Sequence, residues 1–189
     1  LGTLGEYRSK NSTGHLSRVG LYVKELSLLA GGDEDKAKLF AHAAPLHDIG
    51  QVAIDDSIVN KPEKLTPQEY QIMKTHTTIG QDILGGSDKP LMQTAEEIAA
   101  YHHEKYDGTG YPKGLQGEDI PLSAKIVAIV DVFDSLYSNT SYKKNWSNED
   151  IINHFKNEKG KHFDPYLTDL FLENIEIFVN IYETRYISK

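Results

Sequence analysis

The sequence predicts an all-α protein that forms one domain across residues 1–189, and three observations support that fold class. Apolar residues recur at helical spacing along most of the chain. Helix-capping signals precede several of these segments, and no convincing strand alternation interrupts them. The length of 189 residues, with 39% hydrophobic and 25% charged residues, suits a single globular domain with a sizeable core.

The first part of the chain is predicted to contain two helices that lead to a His-Asp pair. The first helix starts near His15, carries apolar residues at helical spacing and stops at the glycine pair 31–32. Asp33 is the predicted N-cap of the second helix, which runs toward His47 and Asp48. These two helices therefore place imidazole and carboxylate groups near helix ends.

The middle of the chain brings further histidines to helix ends. Thr66 followed by Pro67 predicts a cap and a first helical turn, and that helix runs toward His76. Asp88 and Pro90 are expected to open the helix that leads to the next histidine pair. The histidines are thus predicted to come from separate helical segments.

The remaining segments are a long loop and three helices. The stretch 108–121 is rich in glycine and proline, and a loop of that length in a compact domain is usually functional or disordered. The most apolar predicted helix covers 123–137, and an amphipathic one covers 147–156. Asp164, which precedes a proline, is expected to cap a last helix that reaches about Ile181.

Composition narrows the classes of function. The chain has no cysteine, which excludes disulfides and thiolate zinc sites and fits a cytoplasmic protein. The formal net charge of −8 argues against extended DNA or RNA as a partner. No apolar run of transmembrane length and no signal peptide is visible, so we expect no membrane contact from this domain.

Imidazole and carboxylate side chains form two dense clusters in the sequence. His102 and His103 are adjacent, and well upstream His47 is followed directly by Asp48. Without sulfur, such ligands suit iron, manganese or zinc, and two clusters in one chain suggest a multinuclear metal site of the kind that cleaves phosphate esters. Taken alone, the His47-Asp48 pair also fits a polar helix end that faces water.

Four further residues have both a structural and a functional interpretation. Asp131 and Asp134 share one face of the apolar helix, where a salt bridge or a cap would also explain them. The functional interpretation makes Asp131 a metal ligand and gives Asp134 the role of orienting a ligand histidine. His76 and His15 would each, in isolation, be ordinary surface or core residues, and only the two clusters favour a role as ligands.

The ordered set of motifs closely resembles the HD-GYP family from about Ser12 to Pro165. The matching segments are His47-Asp48-Ile49-Gly50, Lys61-Pro62, His76, His102 to Pro112, Ile120-Pro121-Leu122 and Asp131 to Asp134. The resemblance implies an HD-superfamily helical bundle with a two- or three-metal centre that hydrolyses cyclic di-GMP to pGpG and often on to GMP. It also implies the output domain of a bacterial signalling protein, behind a receiver or sensor domain, which agrees with a chain that begins at Leu1 rather than at a start methionine.

The resemblance also assigns roles to particular positions. It implies metal ligation by His47, Asp48, His76, His102, His103 and Asp131. His47 and Asp48 would form the catalytic centre, with Asp48 bridging two metals. Tyr111 matches the residue that shapes the substrate pocket, Lys143 matches a basic residue near the substrate phosphate, and His15 matches a position that joins the site in three-metal members.

Three positions depart from the family pattern. Asn11 stands where three-metal members carry glutamate, and an amide oxygen is the weaker ligand, so we predict two firmly bound metals and at most a weak third through Asn11 and His15. Gln51 and Thr140 stand at substrate-facing positions where the family has lysine and arginine. Each missing charge-assisted contact is worth roughly 1.5–3 kcal/mol, which predicts weakened substrate binding.

The sequence leaves more than one function open. The first hypothesis is a cyclic di-GMP phosphodiesterase with two divalent transition metals, iron or manganese in preference to zinc or nickel. The alternatives are a weakly active or inactive cyclic di-GMP receptor, which the missing cations favour, and a phosphohydrolase for another nucleotide, which the loop after His103 disfavours. Phe171, Phe178 and Tyr182 are expected to pack in the core, with a homodimer interface as the alternative.

Overall fold

Residues 14–138 and 146–187 are described by the computed structural model, the last three of them without their side chains, and they fold into α-helices and short 3₁₀ segments. The α-helices are α1 (His15–Leu29), α2 (Glu34–Ala43), α3 (Asp56–Val59), α4 (Pro67–Lys74), α5 (His76–Leu84), α6 (Pro90–Tyr101), α7 (Leu122–Ser138), α8 (Asn148–Glu158), α9 (Pro165–Glu173) and α10 (Ile175–Ile187). The 3₁₀ segments are Ala44–Leu46, Ile49–Ala53 and Gly117–Asp119. Extended pairing in these ranges is limited to two isolated bridges, so the predicted all-α class is confirmed.

The predicted helix starts are confirmed at several caps. The Asp33 carboxylate accepts a hydrogen bond of 2.7 Å from the backbone N–H of Lys36 at the start of α2. Thr66 and Glu69 form a reciprocal capping box at the start of α4. Asp164 caps α9 by accepting from a backbone N–H in its first turn, at 3.0 Å. These local bonds explain why the sequence signals alone locate the helix starts.

Three details of the predicted helices are wrong. The helix toward His47 ends at Ala43, because the chain tightens into the 3₁₀ segment Ala44–Leu46. Lys89, not Asp88, occupies the cap position of α6. The predicted last helix is two helices, because Asn174 leaves helical geometry (φ −118°, ψ 21°) between α9 and α10.

The core is built around α1, which packs against α2, α7, α9 and α10. Tyr22 of α1 contacts Phe133 edge to face, with ring centroids 5.4 Å apart. Phe171 and Phe178 are fully buried in the same aromatic cluster, and Tyr182 is buried beside them, which confirms the expectation of a core role. Among the residues that the structure describes, no helix combines the length and apolar character needed to cross a bilayer.

A close backbone contact fixes the His-Asp segment against α5. A Cβ atom on Gly50 would collide with the backbone carbonyl oxygen of His76 and with the backbone nitrogen of Gly80. Only glycine therefore allows the 3₁₀ segment Ile49–Ala53 to lie this close to α5. The contact sets Asp48 and His76 at a short, fixed separation.

Candidate metal centre

The seven histidines and aspartates that the sequence singled out as ligands and that lie within the described residues converge on one region. They form two groups, and within each group the ligand atoms lie within 4.8 Å of one another. The first group is Asp48, His76, His102 and His103, and the second is His15, His47 and Asp131. His15 and His76 lie at the starts of α1 and α5, and Asp131 lies in the middle of α7. The two remaining pairs directly follow an element: His47-Asp48 follows the 3₁₀ segment Ala44–Leu46, and His102-His103 follows α6.

Asp48 faces both groups. Its Oδ1 lies 3.3 Å from Nε2 of His76 and 3.6 Å from Nε2 of His102, both in the first group. Its Oδ2 lies 3.6 Å from Nε2 of His47, in the second group. The two oxygens of one carboxylate thus point toward different groups, which is the arrangement that a bridging ligand requires.

Asp131 is the carboxylate of the second group. Its Oδ1 lies 3.5 Å from Nε2 of His15 and 3.7 Å from Nε2 of His47. Ligand atoms bound at about 2.0–2.2 Å to one tetrahedral ion are roughly 3.4 Å apart. The separations between ligand atoms in both groups are therefore compatible with an ion held between them.

Four of the imidazole rings are oriented by hydrogen bonds from Nδ1. His47 bonds to the carbonyl of Ala44 at 2.9 Å and His76 to the carbonyl of Met73 at 2.7 Å. His102 bonds to the carbonyl of Ile98 at 3.0 Å, and His15 bonds to a carboxylate. Because carbonyl and carboxylate oxygens only accept, Nδ1 carries the proton and a neutral ring keeps its Nε2 lone pair for a cation.

Two buried nitrogen atoms support the fit of a metal directly. Nε2 of His15 and Nε2 of His47 are buried and have no hydrogen-bond partner among the described residues. An unsatisfied buried polar atom is costly, and both atoms face the carboxylate of Asp131 at distances too long for a hydrogen bond. A divalent cation between them would satisfy all three groups.

Asp134 forms a buried network beneath His15. Its Oδ2 accepts from Nδ1 of His15 at 2.8 Å, and its two oxygens accept from Nε and Nη2 of Arg18 at 2.6 and 2.8 Å. Both Asp134 and Arg18 are almost fully buried. The carboxylate thereby fixes the orientation of the His15 ring, in line with the expectation that it positions a histidine. Sequence reasoning did not identify Arg18, although it follows His15 by one helical turn.

The electrostatics of the first group suit a cation site. Burial would raise the pKa of Asp48, but the neighbouring His47, His102 and His76 hold it well below its usual range. Burial lowers the pKa of His103 well below its usual value, and His102 and His76 add to the effect. The pKa of His102 itself is raised, because the hydrogen bond and charge of Asp48 outweigh its burial. The group therefore presents one ionised carboxylate among imidazole rings that offer nitrogen lone pairs when neutral, a set that suits a cation.

The loop after α6 places an aromatic ring over the first group. Tyr111 stacks on His103 with ring centroids 4.9 Å apart and an interplanar angle of 28°. A Cβ on Gly110 would meet the backbone of Glu104 at 2.6 Å, so glycine is required there. The buried carboxylate of Glu104 holds the far side of the loop by accepting from the backbone N–H groups of Lys113 and Leu115, at 2.7 and 3.0 Å. Glu104 stands in the motif that the sequence singled out, but its structural role was not predicted.

Of four further residues predicted to bind substrate or metal, the structure describes only Gln51. Asn11, Thr140 and Lys143 lie outside the described residues. Gln51 is half-buried in the 3₁₀ segment after Asp48, and its backbone N–H donates to the carbonyl of Asp48 at 3.0 Å.

Comparison with known proteins finds one matching family model and several relatives. The model described as "HD domain" matches residues 6–167. A 3′3′-cGAMP-specific phosphodiesterase 2 of Vibrio cholerae is 49% identical over 93% of this chain and 34% of its own length. The cyclic di-GMP phosphodiesterase response regulator RpfG of Xanthomonas campestris is 43% identical over 88% of this chain and 44% of its own. The chain thus spans between a third and a half of the length of these two relatives.

Solved structures share the fold. An "HDG"Y"P protein" of Bdellovibrio bacteriovorus superimposes with a TM-score of 0.64 at 22% identity, over 88% of this chain and 54% of its own. A cyclic GMP-AMP phosphodiesterase of V. cholerae gives a TM-score of 0.63 at 19% identity, over 87% of this chain and 45% of its own. These likenesses confirm the predicted helical fold, and together with the family model and the relatives they confirm the resemblance to HD-GYP proteins.

Proposed function

Since the chain belongs to the HD domain family, we propose that it is a metal-dependent phosphodiesterase that hydrolyses a cyclic dinucleotide, with cyclic di-GMP as its first candidate substrate. The observation that carries the proposal is the position of Asp48, whose two oxygens face two separate groups of histidine Nε2 atoms. Relatives named as cyclic di-GMP phosphodiesterases support the substrate, among them one of Thermotoga maritima that is 40% identical over 96% of this chain.

In this proposal the two groups hold two divalent transition metals, iron or manganese in preference to zinc or nickel. Asp48, His76, His102 and His103 would hold one ion, and His47 and Asp131 would hold the other, with His15 as a further ligand. Bound metals of this kind supply a deprotonated water near neutral pH and neutralise phosphate charge. The protein's own contribution is to aim the Nε2 atoms through the Nδ1 hydrogen bonds described above.

The reaction is a balanced hydrolysis. Water adds to one phosphorus atom of the cyclic dinucleotide, the bond from that phosphorus to a 3′ oxygen breaks, and the oxygen leaves as a hydroxyl after taking up a proton. The product from cyclic di-GMP is linear pGpG. Tyr111 stands where it can limit the depth and orientation of the substrate, because its ring covers His103.

A second candidate substrate is 3′3′-cGAMP. The V. cholerae relative with 49% identity carries that specificity in its name. Both molecules present the same ring of two phosphodiesters and differ in one purine base. The proposed metal ligands would hold the phosphate group, which the two molecules share, so these ligands give no reason to prefer one substrate over the other.

The test is turnover by the purified domain. Protein loaded with manganese, or with iron under anaerobic conditions, is incubated with cyclic di-GMP and separately with 3′3′-cGAMP, and the nucleotides are separated by chromatography. We expect linear dinucleotide from at least one of them, and no product after chelation. Metal-loaded protein that leaves both substrates intact would contradict the proposal; binding without cleavage would point to the receptor hypothesis.

The departures at Gln51 and Thr140 give a second expectation, a gain of function. Changing Gln51→Lys and Thr140→Arg together should lower the KM for cyclic di-GMP by about tenfold or more, because each restored cation can pair with a phosphate. The measurement is steady-state kinetics on both proteins at one ionic strength. An unchanged KM would show that these two positions do not face the substrate.

We also propose that this domain is part of a longer signalling protein. The curated relatives extend well beyond the matched region, which supports a role as the output part of a longer signalling protein with a receiver or sensor domain. A cytoplasmic location and a homodimer are compatible with this arrangement.

A further inference from the structure

We propose that Tyr70 and Lys74 of α4 form a substrate-docking rim where they meet the ring of Tyr111 at the metal centre. In this rim, Lys74 pairs with the phosphate that is not being cleaved, and Tyr70 stacks on a purine base. The inference rests on the proposed function, since it names residues that would hold the same cyclic dinucleotide. Neither residue belongs to the histidine and aspartate groups, and the family motifs quoted above include neither.

The rim is contiguous with the metal centre. The Tyr70 and Tyr111 ring centroids are 6.4 Å apart, with the planes at 82°. Nζ of Lys74 lies 4.9 Å from the centroid of Tyr70 and 5.4 Å from that of Tyr111. Because Tyr111 itself stacks on His103, the ammonium group is separated from the first ligand group by one aromatic ring. A ligand held at the metals and extending past Tyr111 would therefore reach Lys74.

Charge supports the assignment of Lys74 to phosphate. The other lysine of this region that the sequence singled out, Lys61, is already paired, with both oxygens of Glu69 at 2.7 Å. Lys74 has no carboxylate within ion-pair distance among the described residues, and its ammonium group rests on aromatic faces instead. A cyclic dinucleotide carries two phosphates, and metals engaged with one leave the other in need of a cation. Gln51 does not supply one, and Lys143 lies outside the described residues. Among the described residues, Lys74 is the cation that lies against the Tyr111 ring.

Exposure supports the assignment of Tyr70 to a base. Tyr70 remains 45% exposed, which is high for an aromatic residue next to a buried cluster. Stacking on an exposed aromatic ring is a common way to hold an unpaired base, and it tolerates guanine and adenine alike. Tyr70 would then bind either candidate substrate without distinguishing them.

The test separates binding from chemistry. Lys74→Gln should raise the KM for the cyclic dinucleotide by about ten- to a hundredfold, while kcat and metal content stay within about threefold of the wild type. Tyr70→Leu should also raise KM, and Tyr70→Phe should restore it, because phenylalanine keeps the stacking face. The penalty at Lys74 should shrink as salt is added, since a charge pair at the rim is screened.

Controls keep this inference distinct from the proposed function. Lys38→Gln removes the same charge from the outer side of α2, where Lys38 pairs with Glu34, and should leave KM unchanged. Wild-type protein that cleaves no cyclic dinucleotide overturns the proposed function itself. Wild-type protein that cleaves its substrate, with Lys74→Gln and Tyr70→Leu at the wild-type KM, overturns the rim alone. Thermal unfolding of each variant is measured as well, and we expect a melting temperature close to that of the wild type, so that a change in KM does not reflect loss of fold.

Discussion

Replacing Asp48 with alanine is expected to abolish both tight metal binding and turnover. Among the described residues, Asp48 is the carboxylate whose oxygens face both ligand groups, at 3.3 Å from His76 and 3.6 Å from His47. Its removal leaves the first group with imidazoles only and takes away the negative charge that would help to hold a cation. We expect kcat/KM to fall by roughly a thousandfold or more, because both proposed ions lose a shared ligand.

The measurement pairs elemental analysis with kinetics. The metal content of the variant should drop well below that of the wild type after gel filtration, and added manganese should not rescue turnover. Asp82→Ala is the matched control, since Asp82 is exposed on α5, and it should behave as the wild type. An Asp48→Ala protein that keeps its metals and its activity would refute the assigned centre.

Replacing Asp134 with alanine is expected to have the largest effect on stability. The change leaves the buried guanidinium of Arg18 without the carboxylate that accepts two of its hydrogen bonds, at 2.6 and 2.8 Å. Removing one partner of a buried ion pair typically costs about 3–5 kcal/mol, because the remaining charge stays desolvated. The His15 ring loses its orienting acceptor in the same variant.

This second prediction is checked by urea unfolding in the presence of a chelator, so that metal binding does not contribute to the free energy of unfolding. The control is Asp169→Ala, which breaks an exposed pair with Lys159 and should cost less than about 1 kcal/mol. Equal losses in the two variants would show that burial adds nothing to the Asp134 network.

The sequence predicted best those features that local chemistry determines. Asp33, Thr66 and Asp164 each cap a helix through a bond to a backbone N–H within three residues, so short-range signals located the helix starts. The break at Asn174 was missed because apolar residues continue at helical spacing on both sides of it. No local signal marks that position apart from the asparagine itself.

In the candidate centre, too, some residues could be predicted from the sequence and others could not. That these histidines and aspartates lie together could be predicted because the ordered set of motifs resembles one family, whereas each residue alone has a structural explanation. The network partner Arg18 and the rim residues Tyr70 and Lys74 could not, since their relevance depends on contacts with Asp134 and Tyr111, which lie far away in the chain. These contacts form only when α1, α4 and α7 pack in the folded protein.

The main-chain carbonyls that accept from His47, His76 and His102 have a consequence for how the protein would be loaded. Because the backbone carbonyls hold these rings through Nδ1, the direction of each Nε2 atom is set by the fold of the chain. The choice of a bound metal would then depend on the elements available in the cell as well as on this ligand set, because affinity alone does not select one divalent transition metal.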